Sequence, residues 1–479
     1  MDFQGIGECI RGRDFISRLP DDILVQILSR LETKDAVKTC VLSSRWKNLW
    51  TFVYNLHFLD NRRNFVNFEI FENFVDRVLG LCQSKDIQDF CLCCRVVYDS
   101  EVSHVSQWLC FAVERNVRKL NIRVDAFDIG WRVARLPQSI FTCNTLVELY
   151  MLSDFVFDIP DSTSCFPSLK LLYINFTNPD YDLLQKLFHS CPVLEDLSIH
   201  GVLVSDEAVL TFDIMMPTLK RLTIRLYLDS GYFEGVSKHK FVVTASNLEY
   251  LVIQDYILVN FVVNGRHLLN EVSLDVGVDI LLIKDYSQRL DELEVSHDEA
   301  NQVMKLLFEV SRDEANRVMK LLRGVNYTKI LSLTSNTMNS LNLGFDDNMP
   351  TFPNLIHLEM CIEARFGWKL LPHFLNSSSN LEVLILKMDC NQEYSSEKFV
   401  EFESESVPSC LRLHVKTIEI RNMTGGEDEL EVISYMLKNS EVLEEFSVDI
   451  AAIAVSKENL RRQILMYPRV SVACEIKFL

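Results

Sequence analysis

From Ile87 to Val448, apolar residues recur in triplets with the spacing L-x-x-L-x-L. The series begins Ile87/Phe90/Leu92, Val117/Leu120/Ile122, Leu146/Leu149/Met151, Leu169/Leu172/Ile174 and Leu194/Leu197/Ile199. It continues through Leu219/Leu222/Ile224, Leu248/Leu251/Ile253, Leu269/Val272/Leu274 and Leu290/Leu293/Val295. A weaker copy has Thr328 in the first place, followed by Leu331 and Leu333; then come Leu355/Leu358/Met360, Leu381/Leu384/Leu386, Val415/Ile418/Ile420 and Leu443/Phe446/Val448. Most intervals are roughly 21 to 30 residues, the length of one strand plus one returning leg in a repeat array. In each short strand alternate residues turn inward, and the leg, often helical, covers the other side of the core. Val105, Trp108, Leu109, Ala112 and Val113 have helical spacing and predict such a leg between the first two strands.

Ahead of the array the period changes to that of helices. Within Asp14–Trp50 the spacing predicts three short helices. Pro20 suits a first helical position, Asp21 and Asp22 put negative charge at the positive helix end, and Ile23, Leu24, Ile27, Leu28 and Leu31 form an apolar stripe. Thr33 is placed to cap a second helix with Asp35 in its first turn and Ala36, Val37, Cys40 and Val41 on its apolar face. Ser43 or Ser44 is placed to cap a third, carrying Trp46, Leu49 and Trp50. So short a segment cannot bury all of this surface alone, which makes part of it either a docking face or a packing face against the rest of the chain. Phe65, Phe68, Phe71, Phe74, Val75, Val78 and Leu79 predict a further helix over the start of the array.

LPDDILVQILSRL, DAV and CVLSSRWKNLW, taken in order, resemble an F-box. The resemblance implies docking to the Skp-type adaptor of a cullin–RING ubiquitin ligase. The residues it places at that interface are Leu19, Pro20, Ile23, Leu24, Ile27, Leu28, Val41, Leu42, Trp46 and Trp50. The triplets resemble leucine-rich repeats, but the Asn or Cys expected three residues after the triplet is mostly absent: Thr177, Val202, Tyr227 and Tyr256 stand there. They are closest in kind to the irregular repeats of F-box proteins. Gly425-Gly426, Glu429, Tyr435, Leu437, Asn439 and Leu443 resemble the FBD domain of plant F-box proteins, and this stretch is expected to cap the open end of the array. It offers two strands, an amphipathic helix (Leu430, Ile433, Met436, Leu437) and a closing strand in which Val470, Val472, Cys474, Ile476 and Phe478 alternate.

The interval from Leu290 to Thr328 is too long. It holds a tandem copy, SHDEANQVMKLLFEV (Ser296–Val310) followed by SRDEANRVMKLLRGV (Ser311–Val325), read as a duplication within a returning leg. Fifteen residues turn a helix by roughly 60° beyond whole turns, so one straight helix cannot turn both copies to the core identically.

The expected fold is therefore α/β: a helical F-box (10–56), a connecting helical segment (57–84), an irregular leucine-rich-repeat solenoid with a parallel sheet and helical or irregular convex legs (85–404), and an FBD cap (405–479). Net charge is −19, which argues against binding a nucleic-acid backbone. No run of about 18 apolar residues predicts a membrane span, and the N-terminus lacks the apolar core of a signal peptide. The 14 Cys are then expected to be reduced thiols in the cytoplasm and/or nucleus. Cys91, Cys93 and Cys94, with Cys82 nearby, lack the knuckle spacing of a zinc site, because Cys91-Leu92-Cys93 falls on a strand. No phosphate loop, nucleophile elbow or His pair appears, so neither catalysis nor a cofactor or metal is expected. The expected function is substrate recognition within an SCF-type ligase, with the adaptor, and through it cullin, and an unknown target protein as partners; the alternative is a ligase-independent repeat scaffold. Target contacts are expected on the concave strand face, from Lys119, Arg123, Tyr173, His200, Arg221 and Arg225 early in the array to Tyr250, Glu271, Glu292 and Glu294 later, running from basic to acidic.

Overall fold

The computed structural model describes residues 16–60, 68–96, 99–126, 134–153, 155–156, 158–160, 165–176, 181–202, 210–227, 239–256, 259–265, 269–277, 312–344, 348–363, 368–389, 407–452, 454 and 456–479. The chain divides into two compact units, Met1–Leu169 and Lys170–Leu479.

The first unit opens with α1 (Asp21–Leu28) and α2 (Thr33–Lys38). Pro20 is the cap residue of α1, in an extended conformation, rather than its first helical residue. Thr33 is the first residue of α2, with Glu32 before it, and its hydroxyl does not cap the helix. Instead that hydroxyl accepts the His57 N–H at 2.7 Å, because burial gives it a tertiary partner to satisfy. No third α-helix forms. The chain winds as 3-10 turns, Thr39–Val41 and Leu49–Phe52, joined by turns in which Trp46 N–H bonds the Ser43 carbonyl and Leu49 N–H that of Trp46. The tighter winding sets residues three apart above one another, which brings Trp46 and Leu49 together into the core, with Trp50 buried beside them.

Then comes the parallel sheet of this unit: β1 (Asn55–Leu59), β2 (Asp89–Val96), β3 (Lys119–Ala126) and β5 (Glu148–Met151), while β4 (Ala134–Arg135) pairs separately with β6 (Phe155–Val156). Two rows run straight across the ladder, Leu56–Phe90–Leu120–Leu149 and Phe58–Leu92–Ile122–Met151, all buried. The second and third positions of each triplet thus stack on their counterparts. β1 joins this ladder from the segment just after the F-box motif. The other side is covered by α3 (Phe68–Leu81) and α4 (Asp99–Glu114), the two helices that the apolar spacing predicts, with Phe65 outside the described residues. Trp108 of α4 is buried against the rings of Phe68 and Phe71, and its indole N–H donates to Asp76 at 2.7 Å.

The second unit repeats the plan. Its ladder runs β7 (Leu171–Phe176), β8 (Asp196–Val202), β10 (Arg221–Tyr227), β12 (Tyr250–Asp255), β14 (Glu271–Val276), β15 (Ile330–Leu333), β16 (His357–Glu363), β17 (Val383–Asp389), β18 (Thr417–Met423), β19 (Glu445–Ile450) and β20 (Glu475–Phe478), every pair parallel. One row passes through all of it: Leu172, Leu197, Leu222, Leu251, Val272, Leu331, Leu358, Leu384, Ile418, Phe446 and Ile476. The weak Thr328/Leu331/Leu333 triplet is a full member, as β15.

Two features depart from the sequence reading. β14 pairs directly with β15, Glu271 opposite Ile330, so the ladder has no place between them for the Leu290/Leu293/Val295 triplet. That triplet lies outside the described residues. And the legs of three repeats carry strands of their own, β9 (Thr211–Met215), β11 (Lys240–Thr244) and β13 (Asn260–Val263), which form a second parallel sheet. Phe212, Phe241 and Phe261 stack in register there, at 4.7 and 5.6 Å between centroids. Alternation in TFDIM, KFVVT and NFVV is the signal for these strands, and it is as short as the strands themselves.

Elsewhere helices cover the sheet: α5 (Tyr181–His189), α6 (312–324), α7 (Ser335–Gly344), α8 (Leu371–Ser377), α9 (Ser409–Leu413), α10 (Glu427–Asn439) and α11 (Lys457–Met466). α6 is the second copy of the duplication; the first lies outside the described residues. The C-terminal section holds α9 and α11 in addition to the one helix expected, α10, and its closing strand is only β20. Val470 and Val472 are exposed and precede it in turns, where Val470 N–H bonds the Leu437 carbonyl.

Candidate functional site

In the F-box segment the ten residues singled out by sequence separate into two sets. Leu24, Leu28, Trp46 and Trp50 are buried and form the segment's own core, with α1 packed on the Leu49–Phe52 turn. Ile23, Ile27, Val41 and Leu42 keep 39%, 42%, 83% and 64% of their surface in water. Pro20 is exposed and Leu19 half-buried. The single stripe read from sequence is thus two faces of α1, since residues 23 and 24 point about 100° apart. Leu31 and Ile16 add to the exposed apolar surface. Arg45 fixes the entry to α1: its guanidinium donates to the Leu19 carbonyl and to the Asp21 carboxylate, the latter at 2.6 and 2.8 Å. Ser29 ties α1 to the start of β1, its hydroxyl accepting the Tyr54 N–H and its carbonyl the Asn55 side-chain amide.

Strand residues that do not face the core form an outward face. In the first unit Lys119 lies 3.4 Å from Glu148 and over the ring of Tyr150, and Arg123 is bonded to Asp125 at 3.1 Å. In the second, Arg221 is bonded to Asp196 at 2.7 Å, Lys387 pairs with Glu359, Arg421 with Glu419 and Lys477 with Glu445. The basic character read into the early strands is therefore largely cancelled by carboxylates on the same or the adjacent strand. His200 adds no charge at neutral pH: burial first, and Arg225 beside it second, hold its pKa down at about 4. Tyr173 stacks on the His200 ring with centroids 4.5 Å apart. Arg225 lies opposite both His200 and Gln254 in the ladder, and among the described residues no carboxylate is paired with it. Tyr250 and Glu271 are exposed in the row of Arg221, four residues back along the strands. Glu292 and Glu294 lie outside the described residues.

Asp275, next along the Arg225 row, is fully engaged. It accepts from Tyr256 Oη at 2.8 Å, Thr334 Oγ1 at 2.6 Å and Asn336 Nδ2 at 3.1 Å, while Gln254 donates to the Tyr256 oxygen at 2.6 Å. Strand alternation puts Gln254 and Asp275 on this face but gives no sign of the network, which also draws on Thr334 and Asn336 at the entry to α7.

Of the cysteines, Cys91 and Cys93 point outward from β2 and Cys94 inward, as alternation requires. Burial pushes the Cys91 thiol up to about 11, so it is a poor nucleophile at neutral pH. One cluster the sequence did not flag joins Glu72 and Asp76 of α3 with His104 of α4, ligand atoms within 4.8 Å of one another. These groups serve each other and Trp108: His104 Nε2 is 3.1 Å from Glu72, and Asp76 takes the indole N–H. Among the described residues no helix is long and apolar enough to cross a membrane.

Comparison with known proteins agrees with this layout. The F-box domain family model matches residues 16–58, the LRR-repeat model of FBD-associated F-box protein At5g56370 matches 105–267, and the FBD model matches 403–448. Among curated relatives from Arabidopsis thaliana, F-box/LRR-repeat protein 13 is 30% identical over 97% of this chain and 96% of its own length. Putative F-box/FBD/LRR-repeat protein At5g22670 is 32% identical over 98% of both chains. The chain belongs to this plant family of F-box/FBD/LRR-repeat proteins. Its domains are those of an F-box substrate adaptor, a generally non-enzymatic class.

Proposed function

We propose that the chain is the substrate-recognition subunit of an SCF-type E3 ubiquitin ligase, working in the cytoplasm and/or nucleus. Residues 10–56 dock a Skp-type adaptor and through it a cullin, 57–84 connect, 85–404 hold a target protein on the outward strand face, and 405–479 close the ladder. Ubiquitin transfer itself belongs to other subunits. The observation that carries this reading is the exposure of Ile23, Ile27, Val41 and Leu42 on a segment whose own core is already filled by Leu24, Leu28, Trp46 and Trp50. Large aliphatic side chains grouped in water on one small segment mark an interaction site.

Ile27→Glu and Val41→Glu, made separately, test it by co-purification with the adaptor. Truncations at interface hot spots cost about 2 kcal/mol or more, roughly a thirtyfold loss of affinity. Each variant is expected to lose at least that much while melting like the parent, because neither side chain is in the core. Leu19-Pro20→Ala-Ala is a less direct test, since it also disturbs the segment held by Arg45. Adaptor binding at the parental level in both Glu variants overturns the reading and leaves a ligase-independent repeat scaffold.

A further inference from the structure

Among the described residues of the second unit, Arg225 is the exception on an outward face whose other strand cations, Arg221, Lys387, Arg421 and Lys477, are matched to carboxylates. Its Nε is buried and has no hydrogen-bond partner among the described residues. The nearest carboxylate in its own row, Asp275, is two strands away, about 9–10 Å at the usual strand spacing, and its oxygens are already taken by Tyr256, Thr334 and Asn336. The described residues around Arg225 are uncharged: His200 on one side, Gln254 on the other, Tyr173 stacked on His200, and Tyr227 with its ring 6.4 Å from that of Tyr256. The depressed pKa of His200 has Arg225 as its second cause, as expected beside a cation that no described carboxylate is paired with.

Leaving the Nε–H desolvated and unbonded costs stability, and such costs concentrate where a ligand recovers them. A guanidinium edge matches the two oxygens of one carboxylate. The aromatic pairs on either side offer flat apolar surfaces to whatever adjoins that carboxylate. At a net charge of −19 the chain repels polyanions at long range, so the arrangement suits one anionic group in an apolar context rather than an acidic run.

Resting on the receptor reading, we infer that Arg225 receives a single Asp or Glu side chain from the target, flanked there by an aromatic or aliphatic residue that lies on Tyr173/His200 or Tyr227/Tyr256. Binding is measured on the full chain, bound to its adaptor where it co-purifies, by saturation-transfer NMR. The probes are acetyl-Phe-Glu-Phe-amide and its Gln counterpart. Saturation transfer to the Glu peptide is expected to exceed that to the Gln peptide several-fold, to fall to the Gln level in Arg225→Gln and to survive in Arg221→Gln. Arg225→Lys, which keeps the charge and loses the fork, is expected to fall in between. Inorganic phosphate is then added as a competitor: displacement extends the site to phosphorylated side chains, and its failure restricts the site to carboxylates. Equal transfer to both peptides, or an unchanged signal in an Arg225→Gln chain that melts like the parent, overturns the inference. Adaptor co-purification is scored on the same samples; it reports on the ligase assignment and does not depend on this patch, so the two readings fail separately.

Discussion

His200 is 8% exposed, lies against the ring of Tyr173 and has Arg225 on the next strand. In the unfolded chain it takes up a proton near 6.5; in the folded chain it does so only near 4. Between those values the unfolded state binds the extra proton, so this residue's share of stability is lost as pH falls through the window and levels off below about 4. His200→Gln is expected to show a shallower decline in unfolding free energy than the parent from pH 6.5 to 4, measured by urea titration. An unchanged slope would show that the histidine titrates alike in both states. Gly425 and Glu429, both in the FBD pattern, have an equally local explanation. Glu429 Oε2 accepts the N–H groups of Thr424, Gly425 and Gly426 at 3.0, 2.7 and 3.0 Å, closing the turn into α10. Gly425 stands at φ +93°, where a side chain is strained, and a Cβ there would lie 2.7 Å from Leu460 Cδ1. Gly425→Ala is expected to cost about 1–2 kcal/mol in denaturant unfolding. Gly426, at φ −61°, should lose less on the same change.

Among elements, α6 shows what the duplication carries. Its buried residues are Glu314, Ala315, Val318, Met319, Leu321 and Leu322, followed by Val325, and Glu314 accepts the Ser340 hydroxyl of α7. The corresponding residues of the first copy, Glu299, Ala300, Val303, Met304, Leu306, Leu307 and Val310, are all identical. The copies differ at His297/Arg312, Gln302/Arg317, Phe308/Arg323 and Glu309/Gly324, and the second member of each pair is exposed or half-exposed. Either copy therefore supplies the same buried set to α6's position. Deleting Ser296–Val310 is expected to leave the melting temperature unchanged. Deleting Ser311–Val325 puts Glu309 where Gly324 stands, and a Cβ there meets the Val263 carbonyl oxygen at 3.2 Å. That variant is expected to stay folded but melt a few degrees lower in calorimetry. Insoluble protein from the second deletion would mean that the first copy cannot fill the place. The copies' shared apolar positions are plain in the sequence; which of them the core uses is not, because that depends on where β14, β15 and α7 surround the helix.

Across the molecule, what could be read from sequence follows the strength of the period. The triplets are legible because their second and third positions are buried in every strand and stack in register, so each must be apolar. The spacing by itself does not assign a place: Leu290/Leu293/Val295 makes the same pattern and lies outside the described residues, while β14 pairs directly with β15. The F-box is legible as a motif, yet its division into core and exposed faces is not, because adjacent residues of α1 serve opposite purposes. Ion pairing is the least legible: whether Arg221 or Arg225 is neutralised depends on which strand lies alongside, and only the register decides that. The end of the ladder supplies the last prediction. β20 pairs with β19 and presents Glu475 and Lys477 outward, Lys477 bonded to Glu445 at 2.8 Å. Charged residues on a terminal strand discourage pairing with another chain. Ending the chain after Met466 removes this strand and bares the edge of β19 and the buried Phe446 and Val448. Such a chain is expected to form concentration-dependent oligomers on size-exclusion chromatography. If it elutes as a monomer and melts like the parent, β20 is dispensable and the closing role passes to the helices α10 and α11.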